Sequence, residues 1–186
     1  MADDYLQVAL ITEVFFDDPT GERLRRALID AQSRGADLAL LPEIPLNRWS
    51  PASKQAIDED AEEPDGWRQT LMAEAAKSVG IGLVGGAIIR DPDTGIRYNT
   101  ALLYDGKGVC HARYRKVHLP EEEGYWETSH YMPGTEPPEA ISDTFSLTVG
   151  LQICSDVNRP QGFQILSSGG TEVVFAPRAT PPETYE

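Results

Sequence analysis

LQVALITEVFFDDPTGERLRRALIDAQSRGADLALLPE, residues 6–43, reads as strand, helix, strand. Leu6 to Ile11 is a short apolar run, expected as a buried strand. Thr20 to Ser33 follows with Leu24, Ala27, Leu28 and Ala31 at i, i+3, i+4 and i+7, the spacing of one helix face. Thr20 is placed to cap its start and Gly35 lies just past its end. Asp37 to Leu41 is a second apolar strand stopped by Pro42. Such a βαβ opening predicts parallel strands, and a carboxylate, Glu43, stands immediately beyond the second of them.

Outward from this unit, residues 47–63 are polar and acidic, and Asp58 to Asp60 with Glu62 and Glu63 read as a solvated loop or short helix. A helix is expected from Pro64 to Val79, ended by Gly80, with Trp67, Leu71, Ala75 and Val79 on its core face. Ile81–Ile89, Tyr98–Tyr104 and Val109–Tyr114 form a meander, with turns at 91–95 and Asp105-Gly106. One or two strands fall within Thr144–Cys154, a helix over Pro160–Ser168, and a last strand over Glu172–Phe175. The whole predicts an α/β fold with mixed sheets, organised as one domain over residues 1–186.

Composition narrows the function. The 186 residues carry 16 basic and 30 acidic side chains, a net charge of -14, so nucleic acid and anionic membrane surfaces are not expected partners. No apolar run approaches the roughly 20 residues of a membrane helix. MADDYLQVAL has no basic region ahead of an apolar core, so no signal peptide is expected and the location expected is cytoplasmic. The two cysteines, Cys110 and Cys154, form no Cys-x-x-Cys pair and no Cys/His cluster, so there is no zinc signature.

Three residues have a chemical reading and a structural one. Cys154 closes Val149–Cys154 ahead of a helix, where a tight turn exposes a nucleophile and helix N–H groups favour a thiolate; it could equally be a buried, inert thiol. Glu43 after an apolar strand is poorly placed for solvent, which suits general-base work, or it caps a backbone N–H. Lys116 lies in Tyr114-Arg115-Lys116-Val117-His118-Leu119-Pro120, either on a solvated face or buried to stabilise an oxyanion. Cys110 in the meander and His118 read as structural, and Val84-Gly85-Gly86-Ala87 lacks phosphate-loop spacing.

Together these segments resemble the nitrilase superfamily of carbon–nitrogen hydrolases. Leu41-Pro42-Glu43 matches the apolar-Pro-Glu context of the family's glutamate, and residues 114–120 match its Tyr-Arg-Lys-x-His-Leu-Pro segment. Gly150 to Asp156 match Gly-x-x-Ile-Cys-x-Asp, and Glu127, Tyr131, Pro133 and Gly134 match a second acidic motif. Glu172 to Pro177 resembles the strand that follows the cysteine helix, so the likeness spans the whole chain.

The resemblance implies a four-layer α-β-β-α sandwich and a homo-oligomer paired across a helical layer. It implies a Glu43, Lys116 and Cys154 triad, with Glu127 orienting the lysine and a backbone N–H near Ser155 at the oxyanion. The mechanism it implies needs no metal or organic cofactor. The substrate would be a small amide, carbamoyl compound or nitrile, with amides preferred by analogy alone. Ser155, where the family often has an aromatic residue, and Val157–Gln161, in place of a common Phe-Pro-Glu, alter the acyl pocket and leave the substrate class open. Family members continue well past this last strand, so the sandwich is expected to lack the C-terminal part of the usual domain. Two other readings stand beside this one. One is a non-catalytic binding or assembly module. The other is an isochorismatase-like cysteine hydrolase, which would need an aspartate after the first strand where this chain has Glu13.

Overall fold

The computed structural model describes residues 5–179. The expectation about a leader at residues 1–4 and the Pro-rich polar segment at 180–186 lie outside the described residues. Eleven strands are β1 (Val8–Leu10), β2 (Leu38–Leu40), β3 (Ala61–Glu62), β4 (Gly82–Arg90), β5 (Arg97–Tyr104), β6 (Cys110–Arg115), β7 (Glu121–Glu122), β8 (Tyr125–Trp126), β9 (Ala140–Ile141), β10 (Val149–Leu151) and β11 (Val173–Phe175). The helices are α1 (Glu22–Ser33), α2 (Trp67–Val79) and α3 (Pro160–Ser168).

The first sheet runs β1-β2-β4-β5-β6, with β3 beside the far half of β4. β1, β2 and β4 are parallel, Val8 opposite Leu38 and Leu38 opposite Gly82, and β4-β5-β6 is the antiparallel meander. The second sheet is β11-β10-β9, with β10 and β11 parallel through α3. One core cluster joins Leu24 and Leu28 of α1 and Met72 and Ala75 of α2 to Ala39, Leu83 and Leu102 of the first sheet. The other joins the opposite face of that sheet, through Leu38, Val84, Ala101 and Tyr114, to Val149, Leu151 and Phe175 of the second. Leu166 of α3 closes the outside, pressed so tightly on Gly150 that a Cβ there would lie 2.6 Å from the leucine Cδ2. Helices, sheet, sheet and helix therefore stack in four layers, the α-β-β-α order expected.

Four local expectations are corrected. Helix α1 is not capped by Thr20; the Asp18 carboxylate accepts from the backbone N–H of Glu22 (3.1 Å) and Leu24 (3.0 Å), with Gly21 at φ 67° carrying the chain into the helix. The first strand is not buried, because β1 is an edge strand and Leu10 is 73% exposed. Helix α2 starts at Trp67, whose side chain faces solvent; of the expected face Ala75 is buried and Leu71 and Val79 pack half-buried on the core, with Arg68, Gln69, Met72 and Ala76 buried beside them.

The burial of Arg68 and Gln69 follows from Glu62, which is not solvated. Its carboxylate accepts from the backbone N–H of Arg68 and Gln69, both at 3.0 Å, and pairs with the Arg68 guanidinium at 3.3 Å. A buried carboxylate thereby caps the helix and turns the polar residues 68 and 69 inward. Gly66 is needed for this approach, since a Cβ there would lie 2.7 Å from the Glu62 side chain.

Candidate active site

Glu43 and Cys154 both stand just beyond the carboxyl ends of parallel strands, β2 and β10, where open α/β sheets collect ligands. Each sits at a sharp turn. Ile44 has φ 41° and Cys154 φ 42°, left-handed backbone that a side chain enters at a cost of about 1–3 kcal/mol. The segment after β11 joins the two turns. Pro177 O accepts from Cys154 N–H at 3.0 Å, Arg178 O accepts from Glu43 N–H at 3.2 Å, and Ala179 N–H donates to Glu43 Oε2 at 3.2 Å.

Lys116 follows β6 and is fully buried. Its Nζ donates to Glu43 Oε1 at 2.7 Å and to Glu127 Oε1 and Oε2 at 2.7 and 2.8 Å. Glu127 is fully buried as well, and Glu43 is 3% exposed, so one ammonium is clamped between two carboxylates away from water. Burial works against the charge on Lys116, but Glu43 and Glu127 outweigh it and the pKa is raised. Burial pushes the Glu127 carboxyl up to about 7, against the pull of Lys116. Asn99 Nδ2 fixes the other side of Glu43 Oε1 at 2.7 Å.

The acidic motif explains the clamp. Tyr131 N–H donates to Glu127 O at 3.0 Å, and Gly134 N–H to Lys116 O at 2.8 Å. A Cβ on Gly134 would lie 2.6 Å from Arg115 O, so only glycine lets this segment lie along the lysine.

A second junction ties the lysine segment to the cysteine turn. Buried Asp156 accepts from His118 N–H (2.8 Å), His118 Nδ1 (2.9 Å), Tyr114 OH (3.0 Å) and Ile153 N–H (3.2 Å). His118 is thus structural, as its sequence reading had it, and Ser155 Oγ donates to His118 O in the same junction. Replacing Asp156 with Ala strands several buried donors. The expected loss is about 2–4 kcal/mol of unfolding free energy, read from urea midpoints, with labelling of Cys154 by a haloacetamide changed in parallel. A variant within 0.5 kcal/mol of wild type, roughly the size of a neutral surface substitution, would show that the junction carries no weight.

Of the two readings of Cys154, burial favours the thiol over the thiolate: Cys154 opens a five-residue 3-10 turn and is only 9% exposed. Burial pushes its pKa up to about 11, the Glu43 carboxylate adds to the rise, and Lys116 and Arg178 pull the other way. The resting group is therefore a thiol whose proton must leave during attack. Ser155 is the second residue of that turn, where a backbone N–H has no intrahelical acceptor.

A cavity of about 730 Å³ opens over Glu43, lined by residues of β1 and the loop after it, by Trp49 and Tyr125, and by Ala176 to Ala179. Cys154 is not among its described lining residues, but its N–H is bonded to Pro177 O, which is. Glu13, which stands where an isochorismatase-like reading would need an aspartate, forms a surface pair with Arg23 at 2.7 Å. Among the described residues no group of three or more His, Cys, Asp or Glu could hold a metal ion. No described helix is long and apolar enough to cross a membrane.

Asn99, Asp156 and Arg178 are the site residues that sequence reading missed. Asp156 stood in the cysteine motif without a role; Asn99, in mid-strand, gave no signal.

With this geometry in place, comparison with known proteins defines the class. A model of the carbon–nitrogen hydrolase family matches residues 10–185, and the chain belongs to that family. A deaminated glutathione amidase from Synechocystis sp. is 42% identical over 93 residues, 47% of this chain and 34% of that one. A nitrilase from Pyrococcus abyssi is 26% identical over 189 residues, 96% of this chain and 69% of that one. The crystal structure of an amidase from Nesterenkonia sp. superposes with a TM-score of 0.76 at 25% identity, over 96% of this chain and 67% of that one. A variant of that amidase carries acrylamide added to its active-site cysteine. The chain thus spans between about a third and two thirds of these proteins' lengths.

Proposed function

We propose that this site hydrolyses small amides through a thioester on Cys154. The observation that carries the reading is the buried Lys116 ammonium held at 2.7 Å from both Glu43 and Glu127, with the Cys154 turn tied to the same segment. Two buried carboxylates and a lysine are a poor way to stabilise a core, because desolvation offsets most of their attraction. They are a good way to present a fixed positive charge beside a nucleophile.

Glu43 takes the proton from Cys154 as Sγ bonds to the carbonyl carbon. Lys116 and the Ser155 N–H receive the developing oxyanion. The tetrahedral adduct collapses, the C–N bond breaks, and ammonia or an amine leaves with the proton from Glu43. Water then gives up a proton to Glu43 as it attacks the thioester, releasing the acid and restoring the thiol. Glu127 keeps Lys116 aimed throughout. An amide is preferred to a nitrile because two of the proteins compared above are named amidases.

The test is ammonia release from a panel of small amides and nitriles, with trapping of the acyl-enzyme by intact mass. An adduct of substrate mass minus ammonia on Cys154 supports the reading. A second reading, a binding module without turnover, draws on the absence of Cys154 from the described lining of the cavity. It would be upheld by saturable binding with no adduct and no release. We also propose self-association through the outer face of α3, where Phe163 and Ile165 are exposed. A sedimentation mass above the 20.5 kDa of one chain is expected, and a monomer at all concentrations would refute it.

A further inference from the structure

Four side-chain oxygens lie buried beside the turn that carries Glu43, with no hydrogen-bond partner among the described residues: Asn47 Oδ1, Ser50 Oγ, Asp60 Oδ2 and the Tyr131 hydroxyl. Asn47, Ser50 and Tyr131 are each more than nine-tenths buried. Asn47 Nδ2 donates to Asp60 O at 2.8 Å, so Oδ1 is the end of that amide left to accept. Tyr131 packs with Ile44, the residue after Glu43, and with Ile88, and Trp49 lies against the same cluster. Burial lifts the Tyr131 phenol well above its ordinary pKa, Glu127 and Glu43 add to the rise, Ser50 opposes it and Asp60 adds to it. The phenol therefore keeps its hydrogen, and Ser50 and Asp60 are both near enough to act on it.

The four oxygens differ in what they need. Ser50 and Tyr131 each carry a hydrogen to donate, whereas Asn47 Oδ1 and the Asp60 carboxylate accept. Direct pairing of hydroxyl with carboxylate would be the simplest solution, and the geometry does not make it. Buried polar groups in folded proteins are bonded in the great majority, to protein or to ordered water. A water molecule complements this set, because it accepts two bonds and donates two. A metal ion does not. It would serve the two acceptors and leave both hydroxyl hydrogens buried without an acceptor, which costs the full desolvation of each.

We propose that Asn47, Ser50, Asp60 and Tyr131 form a binding site for one buried water molecule, which accepts from the two hydroxyls and donates to Asn47 Oδ1 and Asp60 Oδ2. The site joins two parts of the molecule that the chain holds far apart. Asn47, Trp49 and Ala52 of the first segment stand in the cavity wall. Tyr131 belongs to the acidic motif, and its N–H donates to Glu127 O at 3.0 Å. The water thus fixes one side of the cavity against the segment that clamps Lys116. This holds whether or not the site turns over an amide.

The test is a crystal structure of the protein grown in rubidium chloride, so that a monovalent cation would declare itself by its anomalous signal. One peak about 2.6–3.2 Å from all four oxygens, with no rubidium signal, is expected. Rubidium at the site, no peak, or direct bonds among the four side chains would overturn the proposal. Variants give a solution readout. Tyr131→Phe removes one of the two donors and should raise the unfolding equilibrium constant about tenfold. Because both hydroxyls bond the same water, Ser50→Ala should cost at least about twofold less in the Tyr131→Phe background than in wild type. Additive effects, or a Tyr131→Phe variant as stable as wild type, would refute a shared ligand. Melting temperatures in sodium, potassium and choline chloride at equal ionic strength should agree, and a rise confined to one metal cation would replace the water by that ion.

Discussion

Lys116→Met is expected to lower the unfolding free energy by about 3–5 kcal/mol at pH 8, a large part of the 5–15 kcal/mol typical of a domain. The methionine fills much of the lysine's volume, so the loss is electrostatic: Glu43 and Glu127 remain buried and face each other without the ammonium 2.7 Å from each. The pH dependence carries the sign. In the wild type, burial lifts Glu127 to about 7, above its unfolded value of 4.5. A carboxyl raised in the folded state contributes stability that is complete below the unfolded value and is lost as pH rises through the folded one. Removing Lys116 removes the pull that opposes burial, so the folded value climbs further and the loss above pH 7 deepens. The variant should therefore lie closest to wild type near pH 5 and furthest from it at pH 8. Adding Glu127→Gln should recover part of the loss at pH 8. Urea midpoints that shift equally at both pH values would show that Lys116 acts by packing and not by charge.

Turnover is the second large effect. Glu43→Gln keeps a side chain of nearly the same shape but can no longer take the thiol proton. Because burial and Glu43 itself hold the Cys154 pKa at about 11, only about one molecule in ten thousand is thiolate at neutral pH. Attack then depends on proton transfer to Glu43, so Glu43→Gln is expected to cost about 10²–10⁴ in kcat/KM. The same variant relieves the charge that lifts the thiol, so its remaining activity should rise with pH more steeply than that of wild type. Cys154→Ala should reduce ammonia release to the uncatalysed rate. Release that persists in Cys154→Ala would assign the activity to another group.

How far these residues could be read beforehand depends on how local their partners are. Cys154, Glu43 and Lys116 each lie in an unbroken run that also writes its own backbone context, strand then turn. Asp156, one buried carboxylate, gathers Tyr114 and His118 from a motif 42 and 38 residues earlier. Asn99 was invisible because its partner Glu43 is 56 residues away, and nothing in Arg97–Tyr104 marks one strand residue as facing the site. Arg178 was invisible for the same reason, since its meaning lies in the cavity and not in Ala176-Pro177-Arg178-Ala179.

Charge reading failed where burial overrode composition. Glu62 looked like one more solvated acid among Asp58 to Glu63, yet it caps α2 and draws Arg68 and Gln69 inside. Thr20 looked like a cap because its type fits, but Asp18 reaches the same N–H groups around Gly21. The thiolate reading of Cys154 gives way to the buried one, because a five-residue 3-10 turn supplies too little field to offset desolvation of a buried sulfur.

Activation of Cys154 by Glu43 is tested most directly by the rate of alkylation of Cys154 by a small haloacetamide between pH 6 and 9, with Cys110 as the internal comparison. A thiol lifted to about 11 and left to itself should react slowly, its rate rising close to tenfold per pH unit. With Glu43 as the base, Cys154 should react faster than Cys110 at pH 7, nearly independent of pH in wild type, and regain the steep pH slope in Glu43→Gln. A steep slope in wild type, unchanged by Glu43→Gln, would mean that the thiol and the carboxylate are neighbours without being partners.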